Sequence, residues 1–302
     1  MTPDFSGLVA PVVVACSGGA DSIALLVLAA EAGLGPIAVH IDHGLRVDSA
    51  ADAEVVAAAA DALGVPWQSV AVAVGDGGNL EARARDARYA ALRAARHGLH
   101  ATVILVAHTA DDQAETVLLN FLRGSGSAGL AGMAARRGDI VRPLLQLRRA
   151  DVRAVALGRG LQVVDDPTNA DVRWRRAWIR HEALPILSRG AERDLVPILV
   201  RQADVLRAES DLLDQLGDEL LQVAGIDGAA SVGGGEVRAS VLLAAPLPVA
   251  RRAIRRWLGT PPPSADEVER VLAVARRDAV GTELAGGRRV RRSAGRLSQE
   301  LP

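Results

Sequence analysis

The chain is predicted to fold as an α/β protein: a doubly wound, mainly parallel sheet followed by a smaller, mostly helical C-terminal domain. Three observations in the first two thirds of the chain predict this. Short apolar runs alternate with runs of helical length. The run Thr102–Ala107 is apolar almost throughout, as a strand buried on both faces must be. Polar strings follow Cys16, Ile41 and Ala107, at the carboxyl ends of strands, where open α/β sheets bind ligands.

Taken in order, the apolar run from Val12 stops at Ser17 and reads as a buried strand, and the Ala/Leu-rich run from Ile23 to about Gly33 reads as a helix. Between them lies Ser17-Gly18-Gly19-Ala20-Asp21-Ser22. Its glycines let backbone approach a ligand and adopt positive φ, its serines supply hydroxyls, and the helix start offers unpaired N–H groups at the positive end of a dipole. This is a phosphate cradle without the Gly-Lys-Ser/Thr ending of a Walker loop; the chain contains no lysine at all. Pro36–Ile41 is a second strand, Asp48–Leu63 a helix stopped by Gly64-Val65-Pro66, and Trp67–Val74 a third strand. Asn79 is placed to cap a helix over 80–96, and Thr102–Ala107 is the fourth strand. A long helical pattern covers 192–223, then come a glycine-rich loop at 225–235, a short segment at 236–243, helices near 249–258 and 265–275, and a hairpin-like end around Gly286-Gly287. The expected domains are 1–188, carrying the catalytic strings, a helical connector at 189–224, and a small accessory domain at 225–302.

With 302 residues, 49% of them hydrophobic and 24% charged, the chain is globular. A net charge of −1 makes no overall case for a polyanion, but its distribution does: 251–302 holds 12 arginines against 6 acids, and Arg173, Arg175, Arg176 and Arg180 cluster upstream. Such runs are either solvated faces or the places where a polyanion touches. The single cysteine, Cys16, excludes an internal disulfide framework, a cysteine zinc cluster and an iron–sulfur site, and reads as a small buried residue. No uninterrupted apolar run reaches 18 residues and no signal pattern opens the chain, so a cytoplasmic protein with no membrane partner is expected.

Further strings carry chemistry. In His108-Thr109-Ala110-Asp111-Asp112-Gln113-Ala114-Glu115-Thr116, helical spacing puts His108 with Asp112 and Asp111 with Glu115. These acids are dipole complements, Mg²⁺ ligands or proton acceptors. Arg123–Leu130 reads as a flexible glycine-rich loop suited to covering a substrate. His40 and His43 flank Asp42 before Arg46, as structural groups or as substrate contacts. Arg85 and Arg88 lie on an exposed helix face, solvated or meeting phosphate. Arg175, Arg176 and Arg180 interleave with Trp174 and Trp178, a pattern that suits RNA backbone and base stacking, although Trp178 and Ile179 also suit a core.

The Ser-Gly-Gly-x-Asp-Ser string in its strand–turn–helix setting resembles the PP-loop of the ATP pyrophosphatases, which cleave ATP between its α- and β-phosphates. With the His-Ile-Asp-His-Gly-Leu-Arg string, Asn79-Leu80-Glu81 through Arg88-Tyr89, Ala107-His108 to Gly132-Met133, Arg142-Pro143-Leu144-Leu145 and Asp166 to Arg180, it resembles the tRNA(Ile)-lysidine synthetase family over nearly the whole first domain. Departures are Thr109, where the family usually has a second histidine, and Ala177, where it has asparagine. A further C-terminal domain carried by several members is expected to be absent or truncated.

The resemblance implies that ATP adenylates the wobble cytidine of CAU-anticodon tRNA(Ile) at its carbonyl oxygen, and that free L-lysine then displaces AMP to leave lysidine. It implies that Ser17, Gly18, Gly19, Ala20, Asp21 and Ser22 bind the nucleotide. Mg²⁺, through Asp21 or Asp112, would stand in for the missing lysine. Asp111, Asp112, Glu115 and His108 become the catalytic candidates, with Asp112 favoured for the lysine ammonium. His40, Asp42, His43, Arg46, Arg85, Arg88, Arg123, Arg175, Arg176 and Arg180 become the substrate and tRNA contacts. The residues leave the oligomeric state open, a homodimer included. The competing readings are another PP-loop tRNA enzyme such as a thiolase, which typically needs cysteine pairs that one Cys16 cannot supply, a small-molecule amidating ATP pyrophosphatase, and a non-catalytic nucleotide-binding protein.

Overall fold

The computed structural model describes residues 2–42, 49–73, 75, 80–165, 171–226 and 235–300. It comprises two compact units, Met1–Val205 and Leu206–Pro302, which divide within the long helix α9 (Val196–Val223), so the helix expected as a connector contributes to both.

The first unit is built on a six-stranded sheet of order β3-β2-β1-β4-β6-β5. Its strands are β1 (Val12–Ala15), β2 (Pro36–Asp42), β3 (Trp67–Ala71), β4 (Ile104–Leu105), β5 (Arg136–Arg137) and β6 (Ile140–Val141). All neighbours pair in parallel except β5 with β6. β1 lies inside the sheet, with Val13 opposite Ile37 on one side and Ile104 on the other. Pleating sends its residues alternately to the two faces. Val12 and Val14 join α1 (Ala20–Glu31), α2 (Ser49–Leu63) and α6 (Arg149–Gly158) in one core, through Ile23, Leu25, Leu26, Val56 and Val152. Val13 joins Tyr89 and Leu92 of α3 (Leu80–Gly98) in the other. Ile23, Leu25 and Leu26 are fully buried, and burial of each such side chain is worth about 1.5–3 kcal/mol. This double winding reverses between β1 and β4, so the polar strings after both strands open into one crevice.

Four local expectations change. α1 begins at Ala20, three residues earlier than expected, so Asp21 and Ser22 lie in its first turn and only Ser17–Gly19 forms the connecting turn. β4 shortens to two residues, although Val13 and Val106 carry the hydrogen bonding past its ends, to the Val103 and Val141 carbonyls. β5 and β6 are too short to leave a periodic signal. The string 123–130 contains a helical turn, α5 (Ser127–Leu130), tied to α4 (Ala110–Leu122) by the Asn120 side chain, whose Nδ2 donates to the Gly129 carbonyl at 2.7 Å.

The helical run from α7 (Arg175–Trp178) to α8 (Leu184–Gly190) is interrupted by a π turn at Ile179–Ala183. Pro185 accounts for it: the residue brings no N–H, and its ring crowds the carbonyl four residues back, so one wider turn is favoured there. In the second unit, α10 (Ala239–Ala244), α11 (Leu247–Leu258) and α12 (Ala265–Arg276) accompany a four-stranded antiparallel sheet, of order β7-β10-β9-β8. The strands are β7 (Val237–Arg238), β8 (Gly281–Glu283), β9 (Arg289–Ser293) and β10 (Arg296–Glu300). The β8–β9 hairpin carries the expected Gly286-Gly287 turn, and the rest of the sheet was not foreseen because β7 has two residues and β10 a single apolar one, too little for an alternating pattern.

Candidate active site

The phosphate turn leaves β1 and enters α1, whose N-cap Gly19 makes no side-chain cap to the helix. Gly18 has φ +82°, and a Cβ there would lie 2.8 Å from Val164 Cγ2 and 3.3 Å from the Asp52 carbonyl. Only glycine fits. Ser22, expected as a hydroxyl donor, is instead a buried brace: its Oγ accepts from the Ser17 amide at 3.2 Å and donates its proton to the Gly19 carbonyl at 2.8 Å. Ser17 is exposed and remains the hydroxyl available to a ligand. Buried Cys16 has its thiol pushed up to about 12 by burial. His40 is also buried, with Nδ1 3.0 Å from the Cys16 carbonyl, so it supports the end of β1 from beneath instead of facing solvent. Asp42 closes β2 beside it, whereas His43 and Arg46 lie outside the described residues.

Helix α4 starts at the carboxyl end of β4 and separates acids that spacing left equivalent. Asp111 turns to α6: its Oδ2 accepts the Arg149 backbone N–H at 2.7 Å, and both its oxygens meet the Arg148 guanidinium at 3.2–3.3 Å. Asp112 closes a capping box with Thr109, accepting the Thr109 amide and hydroxyl at 2.8 Å each on Oδ2. Its Oδ1 accepts from Arg149 at 2.6 Å and lies 3.6 Å from Arg180. Burial would raise the Asp112 pKa, but Arg149 and the Thr109 hydrogen bonds together hold it below the usual carboxylate range. Glu115 is 1% exposed and is held by Arg149 (3.1 and 3.2 Å) and Arg180 (2.7 and 3.2 Å).

Arg149, at the start of α6, joins this cluster although spacing did not single it out. Its Nε lies 3.6 Å from Asp21 Oδ2, while its terminal nitrogens reach Asp112 and Glu115. Burial alone would lower its pKa, but Asp112, Glu115 and Asp21 raise it. Asp21 is pushed up to about 6, chiefly by burial, with Arg149 opposing and Asp112 reinforcing. Its Oδ1 is buried with no hydrogen-bond partner among the described residues. Arg180, expected to face RNA, enters this acid cluster from the π turn.

His108 accepts from Arg142 Nε at 3.2 Å on Nδ1, so a neutral ring carries its proton on Nε2. Burial takes its pKa down to about 3; Asp112 opposes this, and Arg142, Arg88 and Arg176 reinforce it. Arg85 is exposed and lies 5.1 Å from the Tyr89 ring centroid, whereas Arg88, expected on the same exposed face, is half-buried 5.6 Å from that ring, and burial lowers its pKa. Arg123 and Arg175 are exposed, as are Trp174 and Trp178. Gln113 makes two hydrogen bonds to the Met133 backbone and so fixes the loop that follows α5. Among the described residues, no cluster of three or more His, Cys, Asp or Glu forms a metal cage, and no helix is long and apolar enough to cross a membrane.

A PP-loop domain family matches residues 9–187, and a TilS substrate binding domain family matches 238–298. A tRNA(Ile)-lysidine synthase of Thermobifida fusca is 40% identical over 298 residues, covering 95% of this chain and 90% of the relative. The chain belongs to the tRNA(Ile)-lysidine synthase family. A second synthase of that name, from Mycolicibacterium paratuberculosis, is 46% identical over 247 residues, covering 81% of this chain and 73% of its own length. Among solved structures, the U34-tRNA thiolase NcsA of Methanococcus maripaludis, with its [4Fe-4S] cluster, matches with a TM-score of 0.54 at 16% identity, over 65% of this chain and 71% of that one. That likeness is one of fold.

Proposed function

We propose that the chain joins L-lysine to the wobble cytidine of CAU-anticodon tRNA(Ile), using ATP. In the first step the cytidine carbonyl oxygen attacks the α-phosphorus and pyrophosphate leaves. In the second an amine of lysine attacks the activated base carbon, AMP leaves, and a proton is released. The observation that supports this reading is the meeting of Asp21, from the phosphate turn, with Asp112 and Glu115 of α4 around Arg149.

In this reading Ser17 Oγ and the first amides of α1 hold the departing phosphates, and Gly18 lets them approach the backbone. The unpartnered Asp21 Oδ1 fits Mg²⁺, which typically takes one or two carboxylates plus substrate phosphates. When bound, the ion would supply charge neutralisation at the phosphates. Asp112 and Glu115 offer acceptors to the lysine ammonium. Held below its ordinary range, Asp112 is better suited to orienting that ammonium than to removing its proton. Arg85, Arg88, Arg123, Arg175 and Arg176, with exposed Trp174, would meet RNA phosphate and bases, as would Arg289, Arg291 and Arg296 on the second unit's sheet. The reading places the reaction in the cytoplasm, where tRNA and ATP are found.

The test is incorporation of labelled lysine by the purified chain, with ATP and Mg²⁺, into CAU tRNA(Ile) and separately into methionine tRNA. ATP-dependent labelling of the isoleucine tRNA alone is expected. Pyrophosphate release without labelling would point to another nucleophile, and neither signal would end the reading.

A further inference from the structure

The geometry points to Arg149 as a positioning residue for the amine-transfer step, one guanidinium that fixes the spacing of Asp112 and Glu115 while it anchors them to Asp21 of the phosphate turn. The inference rests on the proposed function. Arg149 is 15% exposed at its side chain, and all three of its guanidinium nitrogens are used: Nε toward Asp21 Oδ2 at 3.6 Å, one terminal nitrogen to Glu115 at 3.2 Å, and the other to Asp112 at 2.6 Å and Glu115 at 3.1 Å. A planar fork of five N–H donors meets three carboxylates in fixed directions, whereas a glutamine brings two donors and no charge.

Its backbone is fixed as well, because the Arg149 amide donates to Asp111 Oδ2 at 2.7 Å and the Ala110 amide donates to the Leu147 carbonyl at 2.8 Å. The guanidinium therefore starts from a point set by α4 itself, one residue before Asp112 and four before Glu115. The neighbouring cation, Arg180, reaches Glu115 and Asp112, whereas Asp21 meets Arg149. Among the described residues, Arg149 bridges α1 and α4 through these acids. Without it, Asp112 keeps its cap and Glu115 keeps Arg180, so the helices persist while the separation between the acids and the nucleotide turn is no longer set.

The test uses the full chain, wild type beside Arg149→Ala and Arg149→Gln, with lysidine formation followed against lysine concentration. Both variants are expected to raise the KM for lysine at least tenfold, a larger change than any fall in pyrophosphate release measured without lysine. Millimolar guanidinium or methylguanidinium is expected to recover at least fivefold in kcat/KM for Arg149→Ala and to leave wild type unchanged. A purely structural role would lower the unfolding midpoint and give neither the KM shift nor the rescue. Should Arg149→Ala fail to fold, the KM shift in Arg149→Gln decides. An active wild type with an unshifted lysine KM in Arg149→Gln, or a folded Arg149→Ala that guanidinium does not rescue, overturns the inference. A wild type that forms no lysidine overturns the proposed function, and the inference falls with it.

Discussion

Arg180 meets both oxygens of Glu115, Nε to Oε1 at 2.7 Å and a terminal nitrogen to Oε2 at 3.2 Å, from a π turn that Pro185 imposes on the helix. Because Glu115 also serves Arg149, removing the carboxylate takes the closest acid from Arg180 and one of three from Arg149, whereas removing Arg180 leaves Glu115 paired with Arg149. Glu115→Gln should therefore cost about 3 kcal/mol, and Arg180→Met clearly less. Urea unfolding of the two variants side by side measures the difference, and equal losses would mean that Arg149 does not share the carboxylate.

Thr109 caps α4 through its hydroxyl, and its amide and hydroxyl hold Asp112. Thr109→Ala should lower stability by about 1 kcal/mol and slow lysine transfer, while Thr109→Ser keeps both near wild type. Thermal denaturation with single-turnover lysine incorporation separates the two effects.

Gly18→Ala meets positive φ, Val164 and the Asp52 carbonyl together. We expect a loss of about 2 kcal/mol and at least a tenfold fall in ATP affinity by calorimetry. Full nucleotide affinity in this variant would show that the turn does not approach the phosphates.

His108 should stay neutral across pH 5–8 with its proton on Nε2, a state that nitrogen chemical shifts report directly. The sign for stability follows: below about 6.5 the unfolded ring takes up a proton that the native ring, held near 3, refuses. Its contribution therefore falls as pH drops below about 6.5 and is constant above it. A native titration near 6.5 would break the Arg142–His108 assignment.

In the second unit, Glu267 caps α12 in a box with Ser264 and also accepts the Ala285 amide at 2.7 Å. Those backbone hydrogen bonds, Ala285 first, bring its pKa down to about 2 from an ordinary 4.5. The resulting stabilisation is present above pH 4.5 and lost as pH falls toward 2. Glu267→Gln should remove that acid dependence, which chemical unfolding between pH 3 and 7 would reveal.

Much of the fold was legible because β1, β2 and α1 announce themselves by long apolar runs and glycine turns. β5 and β6 were not, since two-residue strands exist only through their partners. At the site, the acids after His108 were visible but their division of labour was not. Asp111 is drawn off by Arg148 and the Arg149 amide, which are 37 and 38 residues away in sequence, and no local spacing encodes that. Arg149 itself reads as one of many surface arginines until α6 packs beside α1. Ser22 likewise looked like a ligand donor until the turn closed and used its proton on Gly19.

The cations around Asp112 and Glu115 are guanidinium groups, and the chain has no lysine anywhere. Guanidinium stays protonated at physiological pH and offers no nitrogen lone pair to an electrophile. The one thiol, Cys16, is buried and held protonated. A centre that presents an activated base to an incoming amine thus carries no side-chain amine or thiolate of its own to intercept it. Self-modification, a hazard for any enzyme that makes a reactive electrophile, is disarmed by composition as much as by geometry.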